Sequence, residues 1–564
     1  MAVTANMAAD SAGAERLSLA RWALLVAVAL FAFLPGIASL PPTDRDESRF
    51  VQSTKQMVES GDYVDIHLQE EKRYKKPIGI YWLQSLAVAA SGQGADVPIW
   101  VYRLVSVAAG VMSVLVVAGL GTRMFGANAG LIAGLMLAGI LMLGVEARIA
   151  KTDATLLALT LIAQAALARV YLTGKAGSGG GYAPWIFWIA LGAGILIKGP
   201  VPPLLAALTI VTILYFDRER AWLRELRLLP GILVTLLVAA PWLVAITWKN
   251  GLAFWQESVG NDLFGKVASG QESHGFPPGY FALIFAFALW PFNVRALDAG
   301  LALLGRFRAD PRLLFLIAWY VPFWLVFELI PTKLPHYVLP AYPALALAVG
   351  WMLTSGDALP DALKSGWRLW LRRANIFGLA LVTIALAVGA VAVVPYVTGS
   401  FSVWGVIAAL LFLAAGWFGF GRAPGANPVQ QIGVTALTGV AAIGITVAFV
   451  APALKPVWLS PQIAEMYSGA AACPQSRLVS AGYHEPSLVF LAGTNTLLTD
   501  GKAAAAELAK DPGCTIAAVS NSEMDAFTAA LPGGLANVEE IGAVEGMNYS
   551  KGSNHRIALF RMKK

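Results

Sequence analysis

Apolar residues run through most of this chain in blocks of about twenty, separated by short polar joints, and a block of that length crosses a hydrocarbon layer of roughly 30 Å as a helix. The blocks fall at 21–40, 98–120, 129–147, 154–173, 184–198, 200–216, 228–247, 280–303, 312–330, 335–354, 374–396, 402–421 and 433–453. They predict about 13 membrane helices. Closed β-barrels would instead show short segments of alternating polarity. The joints at Lys198-Gly199-Pro200 and from Pro331 to Pro335 are tight. Beyond residue 456 the pattern changes: strand-like runs at Arg477 to Ser480, Thr515 to Ser520 and Arg556 to Phe560 are accompanied by helical stretches at Ala503 to Leu508 and Glu523 to Leu531. The predicted fold is therefore mostly α, a polytopic membrane domain over residues 1–456 followed by a small α/β domain over 457–564.

Composition agrees, since only 13% of the 564 residues are charged and 57% are hydrophobic, against about 25% charged in a soluble domain. The net charge of +7 comes from basic residues scattered between apolar blocks, so it argues for topology rather than for nucleic acid. With a cytoplasmic N-terminus, the even joints carry Arg123, Lys175, Arg218 to Arg227, Arg306, Arg308, Arg312, Lys364, Arg368, Arg372, Arg373 and Arg422. That is a positive-inside signal. The odd joints, including the long loops 41–97 and 248–279, then face outward with the tail. The first apolar run, Leu24 to Leu40, follows Arg16 and Arg21 and reads as a retained helix because no small-residue cleavage site precedes the Asp44 stretch. The chain's two cysteines, Cys473 and Cys514, lie in the tail, on the side expected to be oxidising, which makes a disulfide plausible and leaves two buried thiols as the alternative.

The outward joints hold the residues capable of chemistry. Asp44, Asp46 and Glu47 stand with Arg45 and Arg49 just past the first block; Glu146, Arg148, Lys151 and Asp153 fill the next joint; Lys198 ends one block, and Lys333 and His336 lie in another joint. Each has a plain explanation, Asp153 as a helix N-cap and Lys333 as a snorkelling lysine. Yet an ionisable residue between apolar spans needs a partner or water, and four outward joints combine acids with bases. Arg73-Tyr74-Lys75-Lys76 suits either the headgroup layer or a phosphate. The 248–279 loop, with Trp255, Glu257, Asn261, Asp262, Lys266, Glu272 and His274, suits a substrate cover or a connector. Together these residues predict a cavity in which cations hold an anionic headgroup and a carboxylate takes a proton. No G-x-x-x-x-G-K-[ST] loop, H-E-x-x-H pair or Cys/His zinc cluster occurs, so no cofactor or metal is required, although acids of this kind can also bind a divalent cation.

Asp46-Glu47-Ser48-Arg49-Phe50 resembles the Asp-Glu-x-Arg-aromatic signature of bacterial lipid-linked-sugar glycosyltransferases, the group of the lipid A aminoarabinose transferases, with protein O-mannosyltransferases as distant relatives. Ser60-Gly61-Asp62-Tyr63, Lys76-Pro77-Ile78-Gly79-Ile80-Tyr81-Trp82, Thr152-Asp153, Lys198-Gly199-Pro200 and Lys333-Leu334-Pro335-His336-Tyr337 follow in the family's order, with Pro340 and Tyr342-Pro343 after them. The resemblance covers roughly residues 20–350. It implies a GT-C architecture with amphipathic helices in the first outer loop, a polyprenyl (undecaprenyl) phosphate sugar as donor, lipid A or another envelope molecule as acceptor, an inner-membrane location and inversion at the anomeric carbon. Carried over by position, Asp46 is the catalytic carboxylate, Glu47 orients the site and Asp153 is the second acid. Arg49, Lys76, Tyr81, Lys198 and Lys333 would bind the donor phosphate or headgroup, and His274, His336 and Tyr337 would line the cavity. Where aminoarabinose transferases often carry an acid before the Lys-Pro pair this chain has Lys75, which leaves a different sugar open. In the tail, Gly482-Tyr483-His484-Glu485-Pro486-Ser487 and Asn548-Tyr549-Ser550-Lys551-Gly552 look like recurring family features or simple turns. A protein acceptor, a flippase and a noncatalytic scaffold are the competing readings. A flippase would place charge near the membrane midplane and often shows repeated halves, whereas the charges here sit at helix ends.

Overall fold

The computed structural model describes residues 16–43, 45–175, 181–268, 275–355, 366–471 and 473–563. Helices stand at every predicted apolar block. Among the described residues, eight helices are long and apolar enough to cross a membrane, and four shorter apolar helices accompany them. The chain is a multi-pass membrane protein.

Two blocks expected as single spans are broken. The 129–147 block divides at Ile140, whose backbone is extended, into Ala127–Gly139 and Leu141–Glu146. The 280–303 block divides into Tyr280–Leu283, Phe285–Ala288 and Asn293–Arg306, with Pro291 in the gap. Proline has no N–H to donate and ends a helical ladder. The two gaps meet, because the Leu141 N–H freed at one is satisfied by the Trp290 carbonyl at the other, 3.0 Å away. Elsewhere small residues set the packing. A Cβ placed on Gly130 would stand 2.2 Å from Thr122 Oγ1, so the Ile99–Phe125 and Ala127–Gly139 helices reach their close contact only with glycine there.

The apolar pattern contains no span between residues 40 and 98, and this stretch folds as a layer of short elements. The helix Asp46–Ser60, the two-residue strands β1 (His67–Leu68) and β2 (Glu71–Lys72), and the helix Gly79–Ser91 follow one another. Trp242 in the Leu228–Asn250 helix donates to the Val64 carbonyl at 3.0 Å, and Lys249 ion-pairs with Asp62. Both tie this layer to the helix bundle.

The tail forms a five-stranded sheet in the order β4-β3-β5-β7-β6, built from β3 (Arg477–Ala481), β4 (Leu497–Thr499), β5 (Thr515–Ser520), β6 (Val538–Asn548) and β7 (Ser553–Met562). β3 runs parallel to β4 and β5, whereas β7 is antiparallel to β5 and β6. Alternate residues face opposite ways. Val479, Ala517 and Phe560 pack against Ala504, Leu508 and Phe527 on one face; Leu478, Ile516 and Leu559 pack against Leu459, Ile463 and Leu488 on the other. The short β4 and the charged, bulged β6 carried too little apolar alternation to be read from the sequence. Cys473 and Cys514 are disulfide-bonded, their Cα atoms 5.7 Å apart.

Candidate active site

The site is assembled where helices begin and end at one side of the bundle. Asp46 and Arg49 occupy the first turn of the Asp46–Ser60 helix. Asp153 opens the Asp153–Lys175 helix, and Lys198 closes Ala183–Lys198. Gly199, at φ 57° and ψ −126°, adopts a conformation open to glycine and turns the chain sharply after the lysine. His336 and Tyr337 belong to the 3-10 turn Pro335–Ala341. The π-helical segment Gln256–Phe264 brings in Asp262.

These elements enclose a cavity of about 710 Å³, its open mouth included, lined by Asp46, Arg49, Lys76, Asp153, Lys198, His336 and Tyr337 among the residues predicted from sequence. Asp153 Oδ1 accepts from Lys198 Nζ at 2.5 Å and lies 3.6 Å from His336 Nε2; His336 Nδ1 is 3.3 Å from Glu146 Oε1, and Lys151 Nζ is 3.3 Å from Glu146 Oε2. The Lys198 ammonium also stands 5.2 Å from the Tyr337 ring centroid, within cation–π range. Across the cavity Asp262 accepts from Lys76 at 2.9 Å and from Lys266 at 2.5 Å.

Burial drives the Lys76 ammonium down to about 8, with Asp262 opposing and the Lys266 and Lys198 charges adding to the depression. Burial pushes the Asp262 carboxyl up, but Lys76 and Lys266 outweigh it and hold the group below its usual range. Lys151 also loses solvation, yet Glu146, Asp153 and Asp46 raise it above an ordinary lysine. The side chain of Asp46 is 59% exposed and meets Arg49 at 3.6 Å. Among the described acids that line the cavity it is the most exposed.

Three predicted residues stand outside the lining. Glu47 is sealed: its carboxylate takes both arms of the Arg103 guanidinium at 2.8 Å, the Ala150 N–H at 2.8 Å, and the Thr43 N–H and hydroxyl at 3.0 Å. Burial raises this carboxyl, and Arg103 with the backbone donors more than reverses the effect. Lys333 spends its three protons on the carbonyls of Phe327, Glu328 and Ile330, at 3.0, 2.7 and 2.8 Å, and so caps the Pro311–Leu329 helix. Its neighbours Thr332 and Leu334 reach the cavity instead. Tyr81 is buried behind Phe50, with ring centroids 5.7 Å apart. His274, together with Asp44, Glu272 and Lys364, lies outside the described residues.

The cavity also gathers residues that the motifs did not place in it. Arg73, Lys75, Lys151, Asp262 and Lys266 add charge to the lining. Each sits in a polar segment noted from sequence, but linear spacing did not say which would converge. Arg103 was not read at all, although an arginine inside the apolar block 98–120 is itself a signal. Glu146, Asp153 and His336 present ligand atoms within 4.8 Å of one another. The two lysines on these acids compete with any cation there.

A family model described as dolichyl-phosphate-mannose-protein mannosyltransferase matches residues 75–245. The chain is 28% identical over 419 residues, 71% of each chain, to an enzyme named undecaprenyl phosphate-alpha-4-amino-4-deoxy-L-arabinose arabinosyl transferase from Aeromonas hydrophila. It is also 28% identical over 376 residues, 64% of each chain, to the protein of that name from Pseudomonas paraeruginosa. In fold it is similar to the crystal structure of ArnT from Cupriavidus metallidurans bound to undecaprenyl phosphate, with a TM-score of 0.72 at 20% identity over 95% of this chain and 97% of that one. The apo structure of that protein gives 0.69 at 19% identity.

Proposed function

We propose, for a chain that belongs to the GT-C superfamily of aminoarabinose and protein mannosyl transferases, the transfer of a sugar from a polyprenyl phosphate to lipid A or another envelope acceptor. The observation that carries this reading is the cavity in which Asp46 is exposed beside Lys76, Lys198, Arg49 and Arg73. An acceptor hydroxyl oxygen attacks the anomeric carbon while the bond from that carbon to the phosphate oxygen breaks, which inverts the centre. Asp46 takes the hydroxyl proton. The departing polyprenyl phosphate gains negative charge, and the lysines stabilise it as it forms. Asp153 and His336 orient Lys198 and the substrate from the far wall, and Glu47 fixes the loop that bears Asp46. No cofactor is required by this chemistry. The cavity is periplasmic in this reading, with the chain in a bacterial inner membrane and its N-terminus in the cytoplasm, which follows from the basic residues of the opposite joints.

The purified full-length protein, given radiolabelled polyprenyl phosphate sugars and lipid A, should form a new glycosidic bond. A flippase or scaffold would form none, and that result would end the proposal. Asp46→Asn should lower turnover by about 10²–10⁴-fold while donor binding and melting temperature persist; near-normal turnover would remove Asp46 as the base.

A further inference from the structure

Both tail motifs noted in the sequence converge on one carboxylate. Glu485 is 2% exposed and precedes the helix Pro486–Ala492. Its Oε1 accepts from Asn548 Nδ2 at 2.8 Å, and the Asn548 side chain in turn holds its own turn closed by accepting from the backbone N–H groups of Ser550 and Lys551 at 3.0 and 3.2 Å. Its other oxygen lies 3.9 Å from the Arg45 guanidinium. Arg45 is the residue before Asp46, and its φ of 66° is one of three positive values among the described non-glycine residues. A side chain held in that region costs free energy and persists where its surroundings over-determine it.

The surroundings do so from two directions. On one side Glu47 holds Thr43 by its N–H and hydroxyl, while the Arg45 carbonyl accepts from the Arg49 N–H at 2.8 Å and starts the helix. On the other side the tail grips the same helix. Gln52 donates to Thr494 Oγ1 at 2.9 Å and Thr494 donates to Glu59 at 2.8 Å, while Phe490 packs edge-on against Tyr102 of the neighbouring Ile99–Phe125 helix at 5.7 Å.

We infer that Glu485 is a positioning residue of the C-terminal domain: through Arg45 it fixes the strained entry to the Asp46–Ser60 helix and so sets the direction of the Asp46 carboxylate. The role of Asp46 itself rests on the function proposed above. Ordering a reacting group in this way acts on the chemical step, because a displacement of about 1 Å can lower a rate roughly a hundredfold. It leaves donor binding, carried by the lysines across the cavity, unaffected.

Hydrogen exchange on the full-length protein in detergent is read first. Glu485→Gln should speed exchange at residues 45–50 relative to the rest of the helix, Arg45→Ala should do the same, and the double variant should do no more. Kinetics follow with whichever polyprenyl phosphate sugar the unaltered protein transfers to lipid A. Glu485→Gln should lower kcat by about tenfold to a hundredfold with donor KM changed less than about twofold, and Glu485→Asp should recover part of the loss. Unaltered exchange at 45–50, additive losses in the double variant, or a fall in donor affinity and melting temperature in place of kcat would each overturn the inference. If the unaltered protein transfers no sugar, the catalytic reading fails, and the exchange data alone decide whether the clamp exists.

Discussion

Asp46 and Glu47 carry the same charge at adjacent positions, yet one opens onto a cavity with 59% of its side chain exposed and the other is sealed beneath it at 0%. The same division separates Lys198 from Lys333. Lys198 reaches the cavity and shares Asp153 with a histidine, whereas Lys333 is spent on three carbonyls. In the cavity, charges pair with partners drawn from separate segments, and the lining stays open to solvent at its mouth. In the sealed knot every donor and acceptor is already committed, and the pair serves to hold the loop that presents the cavity's acid. A motif that contains both residue types therefore encodes both an exposed acid and the support beneath it.

Cutting the sealed knot should have the largest effect. Arg103→Leu leaves the Glu47 carboxylate buried without its cation, and removing one member of a buried pair costs about 3–5 kcal/mol. The expected result is a large drop in melting temperature in detergent, measured by intrinsic fluorescence, and poor recovery of folded protein. A variant as stable as the parent would show that Glu47 and Arg103 are not a structural element.

The two lysines separate next. Lys198→Met should weaken donor binding by about tenfold to a hundredfold, the value of a charge-assisted hydrogen bond of roughly 1.5–3 kcal/mol, with a smaller loss of stability than the Arg103 variant because Asp153 keeps His336 at 3.6 Å. Lys333→Met should do the reverse: it leaves helix-end carbonyls unsatisfied and lowers stability by about 1–3 kcal/mol, while donor affinity stays close to that of the parent. Isothermal titration with undecaprenyl phosphate, paired with thermal melts, reads both effects. A loss of affinity in the Lys333 variant without a loss of stability would return that residue to the cavity.

The smallest effect is a pH dependence. Lys76 is depressed to about 8, so its ammonium form, the one that attracts a phosphate, is lost as pH rises through that value. Donor affinity should fall between about pH 7 and 9, and Lys76→Arg, which stays charged, should flatten the curve. Affinity independent of pH in the parent would exclude Lys76 from the phosphate site.

Much of this architecture is legible in the chain. Blocks of some twenty apolar residues have one stable form in a bilayer, because a helix alone satisfies its backbone within the segment, and the change of pattern after residue 456 marks the separate sheet. Local order likewise marked Asp46, Asp153, Lys198 and His336, which the fold brings to one cavity, since charges at the ends of apolar spans need partners. What remained hidden was non-local. The breaks at Ile140 and Trp290 depend on each other across the bundle. The pairing of Lys76 with Asp262 spans 186 positions, and Glu485 meets Arg45 across more than four hundred. Which residues must leave the membrane and which segments must span it is written locally in the chain, because hydration of charge and of backbone acts on each segment alone. Which charges face the cavity and which are sealed was decided only by the tertiary structure, because that depends on the neighbours each side chain meets.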